Sequence, residues 1–313
     1  MSLLRRRSGR RSGRRSGRRS GRRSGRGALP RALAFLRSRL LGAVSLPALI
    51  GAAWAWRAGA FGPAGGPKAW PALLRLGIAL AGLAAVELMN LFGADYLRHQ
   101  RHQRQGGSEL GPQLPGNPVS ARLRPAAIPR LLLGLAAAGL AALLYFTVTV
   151  GPGLLAFLLP AAAVGALYVF SPFPYAFLGT ALVPPLVAGG VAFVLLGRVS
   201  AAAFLSALPV SLVSAGVILT YQVAYRRQPP PHWARALAVL LPYVLADVLV
   251  AAFLLARVYP RSGFFALLPA IVFPGWIARL LFNETRDPVP ATALGVLLHS
   301  TLCLAIAVGL FWG

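Results

Sequence analysis

From residue 40 to the C-terminus, long apolar runs alternate with short polar interruptions. Nine runs can be drawn, at roughly 40–56, 72–94, 126–149, 153–170, 175–197, 201–224, 235–257, 262–282 and 290–312. A helix of about 20 apolar residues spans a hydrocarbon core of about 30 Å, so the pattern predicts nine transmembrane helices. A membrane β-barrel would show shorter segments with apolar and polar positions alternating, and these runs do not alternate. Gly and Pro recur inside the runs, as transmembrane helices permit. The expectation is an all-α polytopic membrane protein whose helices surround a central cavity.

Composition sharpens this picture. The chain has 313 residues, 57% hydrophobic and only 12% charged, against roughly a quarter charged in a soluble domain. The net charge of +26 is unevenly placed: twelve arginines lie between Arg5 and Arg26, in repeats of Arg-Arg-Ser-Gly. Such a segment has no apolar face and repels itself, so residues 1–30 read as a disordered tail and 31–313 as the membrane domain. The tail suits anionic lipid headgroups. Its charge density would also attract nucleic acid, but no aromatic residues interleave the arginines, and no specific nucleic-acid partner is expected. A low-complexity extension without a role is the plainer reading. Residues 32–41 could add a basic interfacial helix.

Loop arginines set the expected orientation. With the tail inside, the second loop places Arg98, Arg101, Arg104, Arg122 and Arg124 inside, the sixth Arg226, Arg227 and Arg235, and the eighth Arg279 and Arg286. The opposite loops carry fewer. This predicts a multi-pass protein of the cell membrane with a cytoplasmic N-terminus and an external C-terminus. The single cysteine, Cys303, lies in the last run and can form no internal disulfide.

Acidic residues are the scarce element, six in all, and two of them, Glu87 and Asp95, flank Asn90 in one apolar segment. A carboxylate inside a bilayer is costly, so it marks a functional site by default. Asp247, in the middle of the seventh run, raises the same question without a motif around it.

The order and spacing of several segments resemble the UbiA superfamily of intramembrane prenyltransferases, from about Arg37 to the C-terminus. The first is Arg39-Leu-Leu-Gly-Ala-Val-Ser-Leu-Pro47-Ala-Leu-Ile-Gly51. The second is Asn90-Leu-Phe-Gly-Ala-Asp95-Tyr96, similar to an Asn-Asp-Tyr-x-Asp sequence. The others are Tyr168-Val-Phe-Ser-Pro172 with Gly179, and the run from Pro290 through His299. The resemblance implies transfer of an isoprenoid from a prenyl diphosphate to an aromatic or other quinone-precursor acceptor, a lipid-soluble molecule. It also implies Mg²⁺ held at Asp-rich motifs on the second and sixth inside loops. Metal ions neutralise the charge that develops on the diphosphate as the allylic C–O bond breaks, and Mg²⁺ takes hard oxygen ligands.

On that resemblance Asp95 and Asn90 are the catalytic and metal-ligating candidates, with Glu87 as a further ligand in a second register. Asp95 could equally pair with Arg98 one turn on. The second motif would fall at Tyr221-Gln222-Val-Ala-Tyr225-Arg226-Arg227-Gln228-Pro229, which holds no carboxylate. Arg98, Arg226 and Arg227 could bind phosphate oxygens there instead, or simply serve topology. Gln222 and Tyr225 would line the same end. Tyr168 and Tyr175 could face the prenyl chain and its cation, or anchor helices at the interface. The missing second motif keeps open a catalytically inactive relative that binds or carries a prenyl lipid. A secondary transporter would need polar breaks in more spans than are present.

Overall fold

The computed structural model describes residues 45–62, 66–104, 127–170, 176–225, 232–282 and 288–313. Among them are ten α-helices and no strand. They are α1 (Pro47–Arg57), α2 (Ala69–Arg104), α3 (Ala127–Thr149), α4 (Leu155–Phe170) and α5 (Ala176–Leu196). There follow α6 (Ala201–Ser206), α7 (Leu208–Tyr225), α8 (His232–Leu255), α9 (Leu267–Phe282) and α10 (Pro288–Trp312). Short 3₁₀ turns, Pro152–Leu154 and Arg261–Ala266, lead into α4 and α9. The nine apolar runs each become a helix, with the sixth divided between α6 and α7. The tail and residues 32–41 lie outside the described residues.

Among the described residues, six segments are long and apolar enough to cross a membrane: Ala69–Asn90, Ala127–Thr149, Gly179–Leu196, Ala201–Thr220, Arg261–Leu280 and Pro290–Trp312. The outward side chains suit lipid, with Leu133, Val148, Trp276 and Leu255 all strongly exposed. Buried positions include Ser211, Ser214, Thr220 and His299. Large apolar groups outside and hydrogen-bonded polar groups inside are what a hydrocarbon solvent selects.

Four helices form the centre. α1 packs on α5 and α10, and α7 packs on α5 and α10. α2, α3 and α4 extend this centre on the α5 side; α8 and α9 extend it beside α7 and α10. Small residues allow the close crossings. Gly51 of α1 lies so near the carbonyl of Ala188 in α5 that any Cβ would collide with backbone. Tyr243 of α8, fully buried, fills a notch between α7 and α10, where a Cβ on Gly216 would come within 2.8 Å of its Cζ and one on Gly295 within 2.9 Å of its hydroxyl.

At one end of the bundle, hydrogen bonds tie the helix ends together. Trp54 Nε1 donates to Ser206 Oγ, Tyr259 OH to the Ser206 carbonyl at 2.6 Å, and Ser262 Oγ to the Gly309 carbonyl at 2.7 Å. Gly59 and Gly62, at φ 81° and 65°, turn the chain between α1 and α2 at this end. The backbone contact at Gly51 makes it the sensitive position of the centre. Gly51→Leu is expected to destabilise the detergent-solubilised protein by about 1–3 kcal/mol, the usual cost of overpacking, with a lower midpoint of thermal unfolding. Gly77→Ala, with open space around it, should leave that midpoint unchanged or slightly raised.

Candidate functional site

The opposite end of the bundle carries the candidate residues, and one helix organises them. α2 is 36 residues long, about 54 Å at 1.5 Å per residue, well beyond a hydrocarbon core of about 30 Å. Its apolar run extends through Ala94, and the helix then continues unbroken to Arg104. Glu87 and Asn90 therefore lie within the apolar run, and Asp95 is the first residue beyond it. α7 likewise carries Thr220, Gln222 and Tyr225 in its last two turns. α5 packs against both α2 and α7 and so spaces the two polar ends.

Glu87 points into the protein and is buried. Ser45, just before α1, donates its hydroxyl to Glu87 Oε2 at 2.9 Å. A buried carboxylate in apolar surroundings needs such donors, and this one fixes α2 to the start of α1. Asn90, one turn further along α2, is half-buried, as is Tyr96. For Asp95, Arg98, Tyr168, Gln222 and Tyr225 the structure describes the helix backbone and not the side chain. Tyr175, Arg226 and Arg227 lie outside the described residues. Glu87 and Asn90 are thus brought to one side of one helix. Among the described residues, no three His, Cys, Asp or Glu side chains converge as a metal site.

A second polar cluster lies deeper, between α7, α8 and α10. Ser214 Oγ donates to the Val210 carbonyl at 2.9 Å and sits 3.0 Å from His299 Nδ1. A hydroxyl has one proton, so with that proton on Val210 it is His299 Nδ1–H that donates to Ser214. His299 Nε2 then faces Cys303 Sγ at 3.8 Å. By the same logic Thr220 donates to the Gly216 carbonyl at 2.8 Å, and Tyr243 OH donates to Thr220 Oγ1 at 3.3 Å. Ser45, Ser214 and Tyr243 were not singled out from the sequence. A hydroxyl that bonds within its own helix looks the same as one that joins two helices until the neighbour is known. Cys303 is fully buried, as a small core residue.

Two apolar cavities flank α2. One, of about 120 Å³, lies among α2, α3, α4 and α5, with Val86, Gly82, Phe146, Phe157 and Gly190 in its wall. It begins at Val86, next to Glu87, and runs toward the other end of the bundle. The second, of about 350 Å³, opens between α1, α2 and α10 near Trp56, Phe61 and Phe311.

The fold defines an all-α, polytopic membrane bundle with one carboxylate, Glu87, buried inside it. A solved structure described as digeranylgeranylglyceryl phosphate synthase in membranes shares this fold. It superposes with a TM-score of 0.55 at 13% identity, covering 92% of this chain and all of that one. No family model matches the sequence, and no curated protein matches it at a significant level.

The Ser45–Glu87 bond generates a direct expectation. Ser45→Ala removes the donor and leaves the carboxylate less well satisfied, costing about 1–3 kcal/mol. Glu87→Gln should cost less than Glu87→Leu, because the amide oxygen still accepts from Ser45. Thermal unfolding of the three variants in detergent checks the order.

Proposed function

We propose that the chain is a membrane prenyltransferase-like protein that moves an isoprenoid chain from a prenyl diphosphate to a lipid-soluble aromatic or quinone-precursor acceptor. The observation that carries this reading is the placement of Glu87: a carboxylate buried in the bundle within the apolar run of α2. Asn90 follows one turn on, and Asp95 is the first residue beyond the run. Such a position lets a phosphate head stay near the polar face while its hydrocarbon chain lies among apolar helices. The cavity that begins at Val86 is lined for a hydrocarbon chain. The fold shared with a digeranylgeranylglyceryl phosphate synthase supports the same class of substrate.

The oxygen donors of Glu87, Asn90 and Asp95 suit Mg²⁺, which is commonly held by one or two carboxylates with substrate phosphates and water. When bound, Mg²⁺ would neutralise charge on the diphosphate as it leaves. The roles left to the chain are to orient and to exclude water. Ser45 keeps the Glu87 carboxylate in place, and Asn90 offers an amide oxygen one turn away. Arg98, Arg226 and Arg227 supply guanidinium groups that bind phosphate oxygens in pairs and stay charged at every accessible pH. Tyr168, Tyr175, Gln222 and Tyr225 complete the substrate-binding set, with aromatic faces for the allylic cation.

A second reading has its own support: residues 221–229 hold no carboxylate, so a second metal would have no acidic ligand there. A protein that binds or carries a prenyl lipid without turnover would keep the apolar cavities and lose the chemistry.

The two readings separate in one assay. Purified protein is given radiolabelled geranylgeranyl or longer diphosphates and a pool of quinone-precursor acceptors, with and without Mg²⁺. The expected result is a Mg²⁺-dependent prenylated product that falls on the order of 100-fold in Asp95→Ala. Retained binding of the labelled prenyl lipid with no product under any condition selects the non-catalytic reading. Neither binding nor product overturns both.

A further inference from the structure

Two features of the end fastened by Trp54, Tyr259 and Ser262 have no part in prenyl transfer, and they meet at one place. The first is charge. The segments that join helices at this end, 56–70, 150–154, 197–201 and 256–266, hold Arg57, Lys68, Arg198, Arg257 and Arg261, with neither Asp nor Glu. All five cations are exposed. This is the end expected to lie outside, where membrane insertion does not select basic loops.

The second feature is the cavity of about 350 Å³ between α1, α2 and α10. α10 packs on α1, whereas α2 has its main neighbours in α3 and α5. A gap is thereby left over α1, between α2 and α10. Ala52 and Ala53 line it and are buried; Leu73, Leu304 and Val308 line it and are exposed, so it opens sideways to lipid. Its wall is aliphatic and aromatic, which gives water too few hydrogen-bond partners and suits a hydrocarbon chain.

The connection 57–68 brings charge and cavity together. It joins α1 to α2 and therefore spans the end of the gap between them. Phe61 of this connection lies in the wall, 5.3 Å between ring centroids from Trp56, which is 4.6 Å from Phe311. Arg57 and Lys68 are the connection's charged residues. The Lys68 stem lies beside Gly62, next to Phe61, where an added Cβ would come within 3.3 Å of it. A lysine held this way keeps its stem on apolar surface and its ammonium group at headgroup level.

We propose that the gap between α1, α2 and α10 holds one acyl chain of an anionic phospholipid, with the phosphate head at Arg57 and Lys68. Phosphate oxygens accept charge-assisted bonds from guanidinium and ammonium groups. A zwitterionic lipid brings its own cation to a mouth that is already positive, so the site selects by headgroup charge. The inference is independent of the prenyl-transfer reading, which uses the other end of the bundle and the other cavity.

The full chain is reconstituted in phosphatidylcholine vesicles with a trace of phosphatidylglycerol carrying a diazirine in one acyl chain, or of phosphatidylcholine labelled in the same way. After irradiation, adducts are mapped by peptide mass spectrometry. Adducts from the phosphatidylglycerol probe should concentrate on residues 52–56, 73–76 and 304–312, about fivefold above the phosphatidylcholine probe. Arg57→Gln combined with Lys68→Gln should bring the two probes level, whereas Arg198→Gln should keep the preference. Val308→Trp, which fills the gap from its exposed rim, should remove the adducts there and leave those around Leu133 on α3 unchanged. The replaced side chains are all exposed, and thermal unfolding checks that each variant keeps its fold. Equal labelling by both probes in the unaltered chain, a preference that survives the double replacement, or gap adducts that persist in Val308→Trp overturn the proposal. Absence of adducts on the three segments with either probe assigns the gap to another occupant and overturns it equally.

Discussion

Hydrocarbon supplies no hydrogen bonds, so a polar side chain buried in this bundle is stabilised by a partner within the protein, and the partners that lie on another segment fix how the helices meet. Backbone groups are satisfied by helix formation itself. Side chains are not, and the few that are buried mark the joints. Ser45 joins the start of α1 to α2 through Glu87; Ser214 and His299 join α7 to α10; Thr220 and Tyr243 join α7 to α8. The remaining surfaces are apolar and nearly interchangeable with lipid. Shape alone holds them, which explains why glycines stand at the tightest crossings, Gly51 against α5 and Gly216 and Gly295 around Tyr243.

The same constraint separates the two ends of the molecule. At the end carrying Trp54, Ser206, Tyr259 and Gly309, the polar contacts are closed: each donor has a carbonyl or hydroxyl acceptor on a neighbouring segment. At the other end α2 and α7 carry polar and charged residues in their last turns. The Trp54–Ser206, Tyr259–Ser206 and Ser262–Gly309 bonds therefore fasten helix ends on one side of the bundle, and the polar ends of α2 and α7 lie on the other.

The all-α fold and the approximate limits of the helices were legible in the sequence because a bilayer imposes a length scale on crossing helices, although among the described residues six segments, rather than nine, are long and apolar enough to cross. The division of the sixth run at Ala207 was not: Ser200 caps a short α6 through the backbone of Ala203, a local bond that hydropathy does not register. The scarcity of acids made Glu87 stand out, and its burial agrees with the reason for choosing it. Its partner was hidden, since Ser45 lies 42 residues away in sequence. Pairings between runs depend on which helices become neighbours, and apolar faces of similar composition do not specify that order. Asp95 and Arg98 belong to α2, and Gln222 and Tyr225 to α7.

Depth along one helix separates Glu87 from Asp95. Eight residues along a helix is about 12 Å, so the two carboxyl groups start from different levels of α2. The inner one is enclosed and needs a fixed donor, which Ser45 provides. A single long helix therefore sets two acidic positions at two depths in a chain with only six acids.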